Sequence, residues 1–449
     1  MARRGVVRPR PRPAAEPATD APAVTLRIEG VNAAMLGWAP APGDPTVRLH
    51  VPYTLAGETV EARPRRHAGA RAEADLLRVI EPSTARRAPM CRHFTVCGGC
   101  AAQHWPDMDY TAWKAAAPLT ALRAHGIVPD EVLPLARTTA GGRRRVDLTL
   151  RWSRDGVRAG FARRGSHELV DLAQCPVLMP KLAAMVAPLR LAAGRMLPAA
   201  GEADAVVNWT DNGADVLIVP ADRLPLDLAR REALATFAET VDAARVSWGT
   251  RRQSEPVVVR HQPSLAFGRV AVEPPPGAFL QASVAGEMAL RDAVRAWIGP
   301  ARKLVDLYAG IGTLSLGLLP GCRATLYEGD RAAVAAVEAG LRKASLNGVA
   351  TANLRNLASD PLVAEELDAF DAAILDPPRA GAAAQAAELA RSRIPTVVAV
   401  SCDPLSFARD AKTLVDGGYR LERLLPVDQF LWSPHVELAA LFRRPRHGR

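Results

Sequence analysis

Lysine is nearly missing from this chain. Of its 57 basic residues only Lys114, Lys181, Lys303, Lys343 and Lys412 are lysines. Aromatic residues are also scarce, at 5%, so the core must come mainly from aliphatic side chains. No uninterrupted apolar run reaches membrane-spanning length, which argues against a helical anchor. The basic N-terminus is followed by no apolar stretch, so a secretory signal is not expected and the cytoplasm is the expected compartment. The six cysteines are unevenly placed: Cys91, Cys97 and Cys100 cluster, while Cys175, Cys322 and Cys402 are isolated. In a cytosolic chain a tight cluster points to metal or redox chemistry rather than disulfides.

What is present bounds the rest. A chain of 449 residues, 49% hydrophobic and 23% charged, is long enough for two or three domains, each with its own core. A net charge of +10 favours a polyanionic partner. The strong bias to arginine, beside abundant Ala and Pro, can equally reflect genome composition. Nothing in the sequence demands an obligate oligomer, and a monomer is expected.

Residues 1–22, rich in Arg, Pro and Ala, read as a disordered basic arm. From Val24 short alternating strands separated by Gly and Pro suggest a small OB-like β-barrel over residues 23–88. The basic stretch Arg63, Arg65, Arg66 and Arg71 beside it suits an RNA platform, or a plain solvated face.

Cys91, Cys97 and Cys100 follow the spacing C-x5-C-x2-C, with Gly98 and Gly99 letting the backbone wrap closely. Three thiolates on one loop need a fourth ligand, and Cys175 is the best placed by type. Four cysteines suit an iron–sulfur cluster or zinc alike. His93 and His104 keep a zinc site of three Cys and one His open.

Residues 89–289 read as a central α+β region with two hairpins, 146–162 and 206–219, turning at Asp155-Gly156 and Asn212-Gly213. Arg143-Arg144-Arg145 and Arg163-Arg164 flank the first as a potential phosphate-contacting edge. Phe279-Leu280-Gln281 leads into a helix expected over Val284 to Ile298. Residues 290–449 then alternate strand and helix, with strands at 304–307, 324–327, 372–375, 397–400 and 438–442. That pattern predicts a doubly wound, Rossmann-like α/β domain.

Its strand ends carry the chemistry. Asp306-Leu307-Tyr308-Ala309-Gly310-Ile311-Gly312 reads as a strand, a Gly turn and then a helix, and the next strand ends at Glu328. A close backbone approach and an acid for ribose hydroxyls suit a nucleoside-containing cofactor, NAD or S-adenosylmethionine alike. Asp376-Pro377-Pro378 is a rigid turn holding a carboxylate at the sheet edge. Cys402 follows the apolar run 397–400 and precedes a helix started by Asp403-Pro404. A lone cysteine is more often structural. One at a helix N-terminus is also expected to favour its thiolate.

The strings DLYAGIGTLSL, LDPPRAG and VSCDPLSFARD, in that order, resemble the S-adenosylmethionine-dependent RNA uracil-5 methyltransferases. The likeness is strongest to the iron–sulfur-containing bacterial enzymes acting on 23S ribosomal RNA. It implies a multidomain architecture: a TRAM domain at 23–88, a central α+β domain with a 4Fe-4S cluster at 89–289, and a class I methyltransferase domain at 290–449. It implies Cys91, Cys97, Cys100 and Cys175 as cluster ligands. Gln281, Tyr308, Thr313, Glu328, Asn356 and Asp376 fall on cofactor positions, Cys402 on the nucleophile and Glu437 on the general base. The sequence departs from the family at Thr313, where Asn is usual, at Ala309 for Cys, at Asp403 for Asn, and at Leu431-Trp432-Ser433-Pro434-His435 for Phe-Pro-His-Thr. The implied partner is RNA, with no membrane.

That chemistry explains the residue types. C5 of uracil is a poor nucleophile until a thiolate adds to C6, and a base must later remove the C5 proton. Methylation of an exocyclic amine needs no thiol. The alternatives are transfer-RNA uracil-5 or RNA cytosine-5 methylation, and a non-catalytic RNA-binding or ribosome assembly factor on the same fold.

Overall fold

The computed structural model of the chain describes residues 21–65 and 71–445. Most of the basic arm expected over 1–22, and Arg66 of the basic stretch, lie outside the described residues. The contacts divide the chain into two compact units: Met1–Tyr110 with Phe161–Gln174 and Trp432–Pro434, and Thr111–Gly160 with Cys175–Leu431 and His435–Arg449.

The first unit is built on a six-stranded sheet, with strands from Val24–Arg27 to Arg71–Glu81. Its core follows the two-residue period of half-buried strands: Leu26 and Ile28, Leu49 and Val51, Val60 and Ala62, Ala72 and Ala74 all point inward. The eleven-residue strand Arg71–Glu81 pairs antiparallel with Thr59–Pro64 along most of its length. Its first residues pair parallel with Asp44–Pro52, joining the two halves of the sheet.

Among the described residues the second unit holds two large sheets and a small two-stranded one, Leu265–Phe267 with Val270–Val272. One large sheet is mostly antiparallel, and the hairpins expected at 146–162 and 206–219 form there as Arg145–Ser153 with Gly156–Ala162 and as Glu202–Thr210 with Gly213–Pro220. The other contains, in spatial order, Ala350–Leu354, Arg323–Glu328, Lys303–Leu307, Ala372–Leu375, Thr396–Ser401, Glu437–Arg443 and Arg420–Asp428. The first five are parallel, and Glu437–Arg443 runs antiparallel between its neighbours.

Alternate residues of these strands feed two cores. Leu304, Ile374, Val398, Val400 and Leu441 face one side with the helix Val284–Ile298. Val305, Leu307, Leu375, Val397, Ala399 and Phe442 face the other with the helix Pro404–Asp416. Burial on both faces explains the continuous apolar runs in the sequence. The strand order reverses beside Lys303–Leu307, where open α/β sheets bind ligands.

One expectation needs correction. The Gly turn after Lys303–Leu307 does not open an α-helix; only a 3-10 turn forms, Leu316–Leu318. Gly317 and Pro320 fall where a helix would need its second turn, which disfavours propagation.

Candidate active site

Sheet register assembles the site. Leu307 lies level with Tyr327 and with Leu375, so Tyr308, Glu328 and Asp376 all emerge at one carboxyl edge. Ser401 pairs with Leu438 in the antiparallel ladder, so the next step along it brings Cys402 opposite Glu437. Two residues 35 positions apart in sequence thus meet through one strand pairing.

The Gly turn has the features of a nucleoside cradle. Tyr308 and Gly310 both have positive φ, 63° and 56°, and a Cβ built on Gly310 would meet nothing within 4 Å. The Glu328 carboxylate accepts the amides of Gly310 and Asp330, each at 2.8 Å, which ties the turn to the next strand end. Gly312 is required sterically, since a Cβ there would lie 2.5 Å from Leu316 Cγ. Asp306 is 1% exposed and, among the described residues, neither carboxylate oxygen meets a partner at hydrogen-bond geometry. Burial pushes its pKa up to about 7; the nearby Ser315 opposes that rise, and the charges of Asp376 and Glu328 add to it. Open space beside a glycine, a strand-end acid and an orphaned buried carboxylate fit a cofactor carrying ribose hydroxyls and an ammonium group. Asn356 sits in the turn after Ala350–Leu354, its side chain accepting from the Ala358 amide at 3.2 Å. Thr313 is partly buried in the Gly turn.

The electrostatics of Cys402 differ from the sequence expectation. Burial, together with Glu437 and Asp376, pushes its thiol up to about 12, only partly offset by Arg379. The N-cap of the following helix is itself an acid: Asp403 accepts from the Leu405 amide at 2.9 Å and meets that helix's positive end before the thiol can benefit. Cys402 therefore rests as a thiol. Arg379 lies 3.6 Å from Asp403 and 3.3 Å from His435 Nδ1, forming a polar rim beside it.

Glu437 is 3% exposed. Burial first, and the charge of Asp376 second, push its pKa up to about 8, opposed by a hydrogen bond from Gln429. The same Gln429 Nε2 donates to Glu437 Oε2 at 2.8 Å and to Gln281 Oε1 at 2.7 Å, while Gln429 Oε1 accepts from the Ala282 amide at 3.0 Å. Gln281 is thereby placed beside the Glu437 carboxylate. Arg144 holds the Gln281 carbonyl at 3.2 Å and pairs with Glu287. It is buried, so it is not the phosphate contact its basic run suggests. Lys114 donates to the carbonyls of Phe430 and His435, at 3.1 and 2.5 Å, and pairs with Asp428 at 2.7 Å.

In the first unit, the Cys97 amide donates to the His93 carbonyl at 2.8 Å, and the Gly99 amide donates to Cys97 Sγ at 3.4 Å. Gly98 lets the loop pass close to Ala162, whose carbonyl would lie 2.9 Å from a Cβ. His93 Nε2 accepts the Ala173 amide at 3.0 Å, so that nitrogen is already engaged. His104 is fully buried, and among the described residues neither ring nitrogen meets a partner at hydrogen-bond geometry. Among the described residues, no three His, Cys, Asp or Glu side chains come together as a metal-binding group. The amides of Ala101 and Ala102 donate to the Trp432 carbonyl at 2.7 and 3.1 Å.

Sequence reasoning missed Gln429 and Lys114. A faint signal existed for each. Gln429 follows Asp428 as the second polar residue after the apolar run Leu424–Val427, and Lys114 is a lysine retained in a chain that mostly uses arginine.

A family model described as tRNA (Uracil-5-)-methyltransferase matches residues 270–445. The chain is 38% identical over 402 residues to an uncharacterised RNA methyltransferase of Brucella suis, covering 90% of this chain and 94% of that protein. It is 33% identical over 406 residues to a protein of Aeromonas salmonicida named 23S rRNA (uracil(1939)-C(5))-methyltransferase, covering 88% and 91%. Its fold matches the crystal structure of a Pyrococcus abyssi tRNA (uracil-54, C5)-methyltransferase with S-adenosyl-L-homocysteine, at a TM-score of 0.72 and 21% identity, over 93% of this chain and 99% of that one.

Proposed function

The chain belongs to the family of S-adenosylmethionine-dependent RNA (uracil-5-)-methyltransferases, and on that footing we propose that it methylates C5 of a uridine in 23S ribosomal RNA through a covalent Cys402 adduct. The observation that carries the reading is the register that sets a thiol opposite a buried carboxylate at the cofactor edge of the sheet.

Bound S-adenosylmethionine would supply an electrophilic methyl group; Gln281, Tyr308, Thr313, Glu328, Asn356 and Asp376 are the residues proposed to hold it, with Gln281 facing the substrate base as well. Cys402 Sγ adds to C6, its proton passing to Asp376, the other carboxylate that acts on this thiol, and the C5=C6 electrons move onto O4. Those electrons return through C5, which takes the methyl that a bound cofactor would supply, with the thioether S-adenosylhomocysteine as the leaving group. Glu437 then removes the C5 proton, the C5=C6 bond re-forms, and Sγ leaves and regains its proton from Asp376. A thiol that ionises only as it attacks limits adventitious alkylation of the resting nucleophile.

The base must leave its stack to reach Cys402. Phe279 is 64% exposed with the Arg145 guanidinium 4.7 Å from its ring centroid, a pairing suited to unstacked RNA bases. The sheet over residues 23–88 is proposed as the TRAM-type RNA platform. The 23S assignment rests on the Aeromonas relative and on the cysteine set, with transfer RNA as the second reading on the name of the family model. Cys91, Cys97, Cys100 and Cys175 are proposed to ligate a 4Fe-4S cluster. The amide-to-sulfur bond at Cys97 suits a cluster ligand.

The test is nucleoside mass spectrometry of ribosomal and transfer RNA from a deletion strain complemented with wild type or Cys402→Ala. Loss of 5-methyluridine from 23S RNA, restored by the wild type alone, is expected. Unchanged 5-methyluridine in 23S RNA, with loss from transfer RNA, overturns the ribosomal assignment.

A further inference from the structure

The network around Gln429 has a fixed polarity. The Ala282 amide can only donate, so the Gln429 atom it meets at 3.0 Å must be the oxygen. Gln429 Nε2 then faces outward, within 2.7 Å of Gln281 and 2.8 Å of Glu437. The Gln281 atom receiving that N–H must in turn be Oε1. One backbone donor therefore settles two side-chain amides whose oxygen and nitrogen are otherwise interchangeable. Gln281 is left with Nε2, a donor only, and among the described residues nothing in the chain takes it up. Ser283 and Thr138 brace the same segment through a 2.7 Å bond, and Gly286 leaves the room Gln429 needs, since a Cβ there would lie 2.8 Å from Gln429 Cβ.

We infer that Gln429 is a specificity-determining positioning residue: by holding the Gln281 amide with its N–H groups toward the reacting base, it selects a pyrimidine with a 4-oxo group over one with a 4-amino group. This rests on the uracil reading above and deepens it. Uracil O4 accepts a hydrogen bond from Gln281 Nε2. Cytosine presents N4–H2 at that position, and two donors would face each other with neither satisfied. A site built around one hydrogen-bonding pattern rejects the mismatched analogue strongly, by about 10⁴-fold in favourable cases. Gln429 touches neither base nor cofactor in this account; it acts through Gln281, and its bond to Glu437 keeps that amide and the base that removes the C5 proton in one frame.

The experiment compares methylation of transcripts that carry either uridine or cytidine at the mapped target position, with kcat/KM measured for each. Wild type should strongly prefer uridine. Gln429→Leu frees the Gln281 amide to turn, and the uridine-to-cytidine ratio should fall about tenfold or more. Gln429→Glu places an acceptor where Nε2 stood, which draws Gln281 Nε2 toward itself and turns Oε1 to the base; its ratio should fall further. Gln281→Glu presents an acceptor to the base whatever Gln429 does, and should shift the ratio the same way, which keeps the test open if a Gln429 variant does not fold. A purely structural role for Gln429 would lower both rates together and leave the ratio unmoved. Unchanged ratios in folded Gln429 variants beside a wild type that makes 5-methyluridine overturn this inference alone. A wild type that makes no 5-methyluridine overturns the uracil reading, and this inference with it.

Discussion

Lys114 and Asp428 form an ion pair at 2.7 Å in which both side chains are fully buried. Lys114 also holds the Phe430 and His435 carbonyls, so one ammonium group closes the loop between Gln429 and Glu437. Burial lowers its pKa and the Asp428 charge works against that shift. Lys114→Met should destabilise the protein by about 3–5 kcal/mol, because it strands a buried carboxylate. Lys114→Met with Asp428→Asn should recover part of that loss but not the methylation rate, since neither replacement grips the two carbonyls. Denaturant unfolding and single-turnover methylation of the four proteins of this cycle check both statements. Full recovery of the rate in the double variant would show that only charge balance matters.

The pH dependence of turnover should report Glu437. A general base works in its ionised form, and burial with Asp376 places this one at about 8. At subsaturating RNA the rate should therefore rise with pH and level off above about 8, falling about tenfold per unit below it. Removing the Gln429 hydrogen bond removes the one influence that lowers this value, so Gln429→Leu should move the limb to higher pH. Glu437→Gln should stop the reaction after methyl transfer and leave RNA covalently attached to Cys402, visible as a retarded band on a denaturing gel. A wild-type profile that is flat from pH 6 to 9 would remove Glu437 from the rate-limiting proton step.

The sequence made the scaffold legible where structure is local. The helix Val284–Ile298 is announced by Ser283, whose hydroxyl accepts the Gly286 amide, and Asp403-Pro404 marks the start of Pro404–Asp416. The strands of the parallel sheet are short apolar runs, and their polar ends line one edge. Everything set by pairing between distant segments stayed hidden. The thiol of Cys402 looked activated by its helix, yet burial, joined by Glu437 and Asp376 arriving from other strands, reverses the expectation. Arg144 belonged to a basic run that suggested phosphate, yet it is buried against Glu287, which lies 143 residues further along the chain. Gln429 carries no local signature of the three partners it joins.

Asp306 should make the protein less stable as pH rises. Its folded-state pKa, about 7, stands above the ordinary 3.8, so the folded chain holds this proton more tightly than the unfolded one. The favourable contribution is complete below pH 4 and is lost between there and about 7. Asp306→Asn should abolish that dependence and raise stability by roughly 1–3 kcal/mol at pH 8, with little gain at pH 4. Urea unfolding at the two pH values measures it. The same variant should bind S-adenosylmethionine more weakly if the carboxylate serves the cofactor, which isothermal titration reads separately. An equal gain at both pH values would mean that Asp306 is not the group responsible.

Gly286 offers a test of the site that leaves every polar partner in place. It lies in the first turn of Val284–Ile298, where Ala is favoured over Gly by about 1 kcal/mol on backbone grounds. A Cβ at this position would stand 2.8 Å from Gln429 Cβ and 2.9 Å from the capping Ser283 hydroxyl, closer than those atoms tolerate. Gly286→Ala must therefore displace Gln429, its own helix cap, or both. If Gln429 moves, its bonds to Gln281 and Glu437 lengthen together, and kcat should fall about tenfold or more while S-adenosylmethionine affinity changes little. Gly286→Ala combined with Gln429→Leu should be no slower than Gln429→Leu alone, because the group being displaced is already gone. Additive losses in the double variant would place the effect of Gly286 on the helix cap instead, and thermal unfolding of the two single variants would then show the cap loss directly.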